Sequence, residues 1–144
     1  MFAGWTAADL VGTPQDIAKF IYDVYAPPYK LVAKEYVDMM YNSSTLTGYG
    51  LATFNLTRRT GQSGPDGVAM GHLGATYGYQ SIVAYNPAMD FSLTVATNIE
   101  RDGQDQPADT LCSVYNTVRA IVRGLPAPTC TFSHGYYSGG CHCK

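Results

Sequence analysis

The chain has little charge, no long apolar run and few cysteines. Only 14% of its 144 residues are charged, and the net charge is −2. Without a basic excess nothing attracts a phosphate backbone, so nucleic acid is not an expected partner. No stretch has the length of apolar residues that a transmembrane helix needs, so no membrane span is expected. The first residues, MFAGWTAADL, lack a basic region followed by an apolar one, so no signal peptide is expected in them. The expectation is a cytosolic protein, or an extracytoplasmic or secreted one if an export signal lies upstream. The sequons Asn42-Ser43-Ser44 and Asn55-Leu56-Thr57 arise often by chance and decide nothing about compartment.

What is present suits one domain with a real core. Hydrophobic residues make up 46% of the chain, far from the composition of a disordered one. Thr13-Pro14-Gln15-Asp16 marks a helix start: Thr13 can cap free N–H groups, Pro14 fits the first turn, and a carboxylate at Asp16 suits the positive end. Ile17, Phe20, Ile21 and Val24 then fall on one face, and Pro27-Pro28 ends the helix. A second helix is expected over Leu31 to Met40.

The period then changes. Tyr49 to Thr57, Val68 to Gly74, Tyr79 to Tyr85 and Phe91 to Thr97 read as strands, with a turn at Thr60 to Gly67 and a short loop at Asn86 to Asp90. Short connections favour antiparallel pairing. A last helix is expected from Ala108 to Arg123, with Leu111, Val114, Tyr115, Val118, Ile121 and Val122 as its apolar stripe. The expected class is α+β: an antiparallel sheet of about four strands with flanking helices.

Cys112 stands alone, while Cys130, Cys141 and Cys143 crowd the end of the chain. His134, His142 and the three tail cysteines are zinc-type ligands, but the spacing Cys141-His142-Cys143 is tighter than structural zinc sites use. A disulfide involving Cys112 is an alternative. The expectation is a disordered tail over residues 127–144 with idle cysteines, and no metal or cofactor.

The segment Gly71-His72-Leu73-Gly74-Ala75-Thr76-Tyr77-Gly78-Tyr79-Gln80-Ser81 resembles the third motif of the serine β-lactamase and penicillin-binding-protein superfamily. There Lys or His, a variable residue and Gly lie on the strand that borders the active site, and a Gly-aromatic step follows. Gly12-Thr13-Pro14-Gln15-Asp16, Tyr49-Gly50-Leu51-Ala52, Tyr85-Asn86-Pro87 and Val95-Ala96-Thr97-Asn98 are similar to further segments of that superfamily, in the same order. Residues 1–126 then resemble its C-terminal portion, nearest to the D-Ala-D-Ala carboxypeptidases and class C β-lactamases.

The resemblance implies a serine hydrolase working by acyl transfer on a peptide or ester. His72 would stabilise charge beside the nucleophile, and Ala75 would donate its backbone N–H to the oxyanion. Leu73, Gly74, Thr76 and Tyr77 would meet the substrate, and Tyr79 is a further cleft candidate, although strand tyrosines commonly serve packing. Leu73 departs from the Thr or Ser that holds a substrate carboxylate in relatives, which points toward an esterase-like or altered substrate class. No serine has Lys three residues later, so the Ser-x-x-Lys nucleophile is missing, as is the Tyr-x-Asn motif. The expected partner is therefore a missing N-terminal segment of the same fold or a homologous chain. The chain alone would be inactive; the alternative is a non-catalytic module that binds peptide or protein.

Overall fold

A computed structural model of the chain describes residues 10–42, 48–76, 78–100, 105–133 and 140–143. Helix α1 (Pro14–Tyr25) begins as a complete capping box. Thr13 Oγ1 accepts from Asp16 N at 3.2 Å, and Asp16 Oδ2 accepts from Thr13 N at 3.2 Å. Asp16 is thus a capping group, and its pairing with Thr13 holds its carboxyl below the usual carboxylate range. The buried side of α1 is Ile21, Val24 and Tyr25, whereas Phe20 is exposed. Helix α2 (Lys34–Asn42) starts later than expected, because Leu31 and Val32 belong to the turn after Pro28.

The expected strand from Tyr49 to Thr57 is mostly not formed. Gly50 N donates to Thr53 O at 2.7 Å, Ala52 has φ 50°, and Tyr49 bridges back to Phe54. The chain doubles back here, so only β1 (Phe54–Asn55) remains to pair. Two single helical turns follow, α3 (Thr57–Thr60) and α4 (Gly64–Gly67). Strands β2 (Met70–Thr76), β3 (Tyr79–Asn86) and β4 (Phe91–Thr97) come next. They lie antiparallel in the order β1-β2-β3-β4, with Met70 opposite Tyr85 and Asn86 opposite Phe91. The expected α+β class with a four-stranded antiparallel sheet holds.

Both faces of the sheet are covered. On one, Met70, Val83 and Tyr85 pack with Ile21, Val24 and Tyr25 of α1 and Val37 of α2. Tyr25 stacks on Tyr85 at 6.4 Å, and Ser92 Oγ donates to Ala18 O at 2.7 Å. On the other, Ile82, Ala84 and Leu93 pack with Ala108, Leu111 and Tyr115 of α5 (Asp105–Arg123). The stripe of α5 is rotated from the expected one. Ala108, Leu111, Cys112, Tyr115, Asn116 and Ala120 are buried, while Val114, Ile121 and Val122 face outward. Small and polar residues fill the contact, because the helix also carries hydrogen bonds to the loops beneath it.

Asn86 is the centre of those bonds. Fully buried, it donates Nδ2 to Val68 O at 2.6 Å, to Asp66 O at 3.3 Å and to Tyr115 Oη, while its Oδ1 accepts from Met89 N at 2.6 Å. Tyr115 Oη in turn donates to Asp66 O at 2.6 Å. The Asp66 carboxylate takes Arg119 Nε at 3.1 Å and an Arg123 guanidinium nitrogen at 2.6 Å, and the Arg123 hydrogen bond leads in holding it below the usual carboxylate range.

Two stretches of the tail, expected to be disordered, are strands among the described residues. Strands β5 (Cys130–Ser133) and β6 (Gly140–Cys143) form an antiparallel hairpin in which Cys130 lies opposite Cys143. An isolated hairpin is marginal in water; this one is held against α3 and α5 through its sulfurs. Among the described residues, no helix is long and apolar enough to cross a membrane.

Candidate functional site

Two places carry chemistry-bearing side chains: the outer edge of β2 and the sulfurs of the tail hairpin.

Strand β1 pairs with β2 only at Met70 and Gly71. Beyond Gly71 no strand lies on that side of β2 among the described residues. His72 stands at this point, exposed. Its Nε2 is 3.2 Å from Tyr49 Oη, and its ring meets those of Tyr49 and Phe54 edge-on, at 5.7 and 5.3 Å. Tyr49 and Phe54 pack on each other at 4.2 Å. The doubled-back loop before β1 therefore holds the imidazole from the side, leaving it in reach of solvent.

The other expected site residues follow along the same strand. Leu56 N donates to Ala69 O at 2.8 Å, so the backbone of Ala69 faces β1. Because backbone groups alternate sides along a strand, the N–H of Ala75 points to the same side, past the end of β1. Ala75 and Thr76 are exposed. Leu73 instead turns inward and packs against the cluster under α5, so it does not share the face of His72. A Cβ at Gly74 would meet Ser81 Oγ at 2.5 Å, which gives that glycine a packing reason of its own. Tyr77 lies outside the described residues, and Tyr79 is exposed.

No activated nucleophile accompanies this edge among the described residues. Burial pushes the hydroxyls of Tyr85 and Tyr115 well above the ordinary phenol range, which removes both as bases near neutral pH. Burial, with the neighbouring Cys143, pushes the Cys130 thiol up to about 12, and a thiol so raised carries almost no thiolate.

At the second place the expectation was idle tail cysteines, with a disulfide involving Cys112 as the alternative, and the alternative is what the structure forms. The sulfurs of Cys112, Cys130, Cys141 and Cys143 all lie within 4.8 Å of one another. Cys112 and Cys141 are joined as a disulfide, and Cys130 and Cys143 are thiols. The spacing Cys141-His142-Cys143 looked too tight to bring both cysteines to one centre. On a strand, however, residues two apart share a face, so both sulfurs point toward α5 and the exposed His142 does not. Asn116 lies beside them, its Nδ2 3.4 Å from Cys130 Sγ and 3.8 Å from Cys112 Sγ. Gln62 Nε2 fixes that amide by donating to Asn116 Oδ1 at 2.6 Å. A cavity of about 250 Å³ opens next to the cluster, lined in part by Arg58, Gln62 and His142; it does not reach His72. His134 lies outside the described residues.

The chain matches no family model, no curated protein and no solved structure.

Proposed function

We propose that this chain is part of a β-lactamase-related serine hydrolase and supplies one wall of its acyl-transfer site. Its partner in this reading is an N-terminal segment of the same fold, or a homologous chain, that brings Ser-x-x-Lys. The observation that carries the proposal is the exposed His72 on the open edge of β2, followed by the outward N–H of Ala75. A peptide or ester carbonyl laid along that edge would place its oxygen by the Ala75 N–H. That donor, fixed in a strand, is already oriented when the serine attacks and charge collects on the oxygen. His72, steadied by Tyr49, would offer a proton or a positive charge beside the leaving group.

The inward turn of Leu73 suits an esterase-like substrate better than one with a free carboxylate, since no hydroxyl at this position meets the substrate. The test mixes the chain with an N-terminal partial domain of a related hydrolase that carries Ser-x-x-Lys and follows release of a chromogenic ester. Turnover should need both parts, and His72→Ala should lower kcat on the order of 100-fold, the usual scale for loss of a positioned acid or base. Unchanged kcat in His72→Ala would remove His72 from the site.

One observation favours a second reading, a non-catalytic module that binds peptide or protein. The sheet is covered on both faces by helices of this chain, so the core needs less from another segment than a bare half-domain would. A stable monomer that binds peptide along β2 without turnover in the mixed assay is the outcome this reading expects.

A further inference from the structure

The four cysteines come from two elements that the hydrolase reading does not use. Cys112 projects from α5, and the other three share one face of the β5–β6 hairpin. A pair of disulfides asks only that sulfurs meet in twos. Here Cys143 Sγ lies 3.4 Å from Cys141 Sγ, 3.6 Å from Cys130 Sγ and 4.0 Å from Cys112 Sγ. Zinc bound by thiolates at about 2.3 Å in a tetrahedron separates its sulfurs by about 3.8 Å. Cys143 therefore stands to all three others as one vertex of such a tetrahedron stands to the rest.

Polar groups of α5 and of the loop after α3 reach these sulfurs. Asn116 Nδ2 donates to the Thr60 and Cys112 carbonyls at 2.7 and 2.8 Å and lies 3.4 Å from Cys130 Sγ and 3.8 Å from Cys112 Sγ as further, shared acceptors, while Gln62 holds its Oδ1. Donors to sulfur of this kind orient metal ligands and spread their charge. Gly61, at φ 70°, closes the site from α3; a Cβ there would come within 2.6 Å of Cys143 Sγ and 2.8 Å of Cys141 Sγ. Cys112 and Cys141 are buried, and Cys130 and Cys143 half-buried.

We infer that, in the reduced chain, Cys112, Cys130, Cys141 and Cys143 bind one zinc-type divalent cation as a structural tetrathiolate site that fastens the β5–β6 hairpin to α5. Opening the Cys112–Cys141 bond takes two electrons and two protons from a thiol reductant, which becomes a disulfide. The cation then displaces four thiol protons, one from each cysteine, leaving a centre of net charge −2. With four protein sulfurs the site has no open position, so its role is to hold the fold, not to do chemistry.

The experiment uses the full chain, reduced with a non-chelating phosphine under anaerobic conditions and titrated with Co²⁺ and then Zn²⁺. One cobalt per chain should bind, with thiolate-to-cobalt charge transfer in the near ultraviolet and the intense visible bands of tetrahedral coordination; zinc should displace it. Cys130→Ser and Cys143→Ser, checked for folding by circular dichroism, should each weaken cobalt binding at least 10-fold and alter those bands. Should either variant fail to fold, X-ray absorption of the zinc-loaded wild-type chain decides by its count of sulfur neighbours. No cobalt uptake by a reduced chain whose four thiols all react with an alkylating probe would overturn the inference. So would fewer than four sulfurs at the metal, or binding that Cys130→Ser and Cys143→Ser leave unchanged.

Discussion

Asn86 offers the sharpest test of how this fold is held. Asn86→Asp keeps the size and shape of the side chain but exchanges its donor for an acceptor. Asn86 Nδ2 now serves three oxygens, on Val68, Asp66 and Tyr115, while Oδ1 takes the Met89 N–H. An aspartate retains the Met89 bond and turns its second oxygen toward two carbonyls. Tyr115 can still serve Asp66 O at 2.6 Å but reaches Val68 O only at 3.3 Å, and its single proton cannot satisfy both, so the group that loses most is Val68 O. A buried acceptor left without a donor costs about 1–3 kcal/mol, and more when the intruding group is charged. The sum is roughly 3 kcal/mol at neutral pH, or a fall of about 10 °C in Tm for a chain of this size.

The cost should depend on pH with a definite sign. Burial among carbonyls raises the folded-state pKa of the new carboxyl above its unfolded value of about 3.9. Between the two values the folded state binds more protons than the unfolded state, so stability falls as pH rises. Below the unfolded value the protonated carboxyl can donate to Val68 O, and most of the loss should be recovered. Urea melts of wild type and variant from acid to neutral pH measure the difference directly. A variant whose deficit is the same at both ends, or whose Tm at neutral pH lies within about a degree of wild type, would show that Asn86 is not the hub described.

The remaining predictions concern the site, the tail and the surface. The chain alone should show no burst of acylation by a labelled penicillin in intact-mass spectra, because no Ser-x-x-Lys is present; a stoichiometric adduct would defeat the assignment. Gly61→Ala should destabilise by about 1–3 kcal/mol, since it adds a left-handed penalty to a collision with two sulfurs, and should speed alkylation of Cys143; an unchanged melt and alkylation rate would contradict the packing of β6 on α3. The open edge of β2 and the outward Val114, Ile121 and Val122 of α5 should promote self-association. Light scattering should show a mass above that of the monomer, falling when an N-terminal partial domain is supplied; a monomer with a cooperative melt at high temperature would show that the chain completes its own core.

Local chemistry fixed much of the outline in advance. Thr13, Pro14 and Asp16 specify a helix start through bonds within three residues. The alternation in Phe91 to Thr97 and the short loop at Asn86 to Asp90 specify a hairpin; the strand bounds Phe91–Thr97 appear in the structure, while β3 runs one residue further than expected, so that Asn86 pairs with Phe91. The position of His72 on a strand followed from the same period. Other features depended on partners far along the chain. The stretch from Tyr49 to Thr57 has strand-forming residues, yet its turn at Gly50–Thr53 folds it against itself, and only pairing with β2 settles how much strand survives. The stripe of α5 could not be placed from apolar period alone, because Asn116 and Cys112 are buried there through bonds to Gln62, Thr60 and the tail. Nor does the spacing of Cys112 from the tail cysteines tell that they meet. That meeting requires the hairpin to lie across α3 and α5, and it is the tertiary fold that carries sulfurs from the end of the chain back to the middle of a helix.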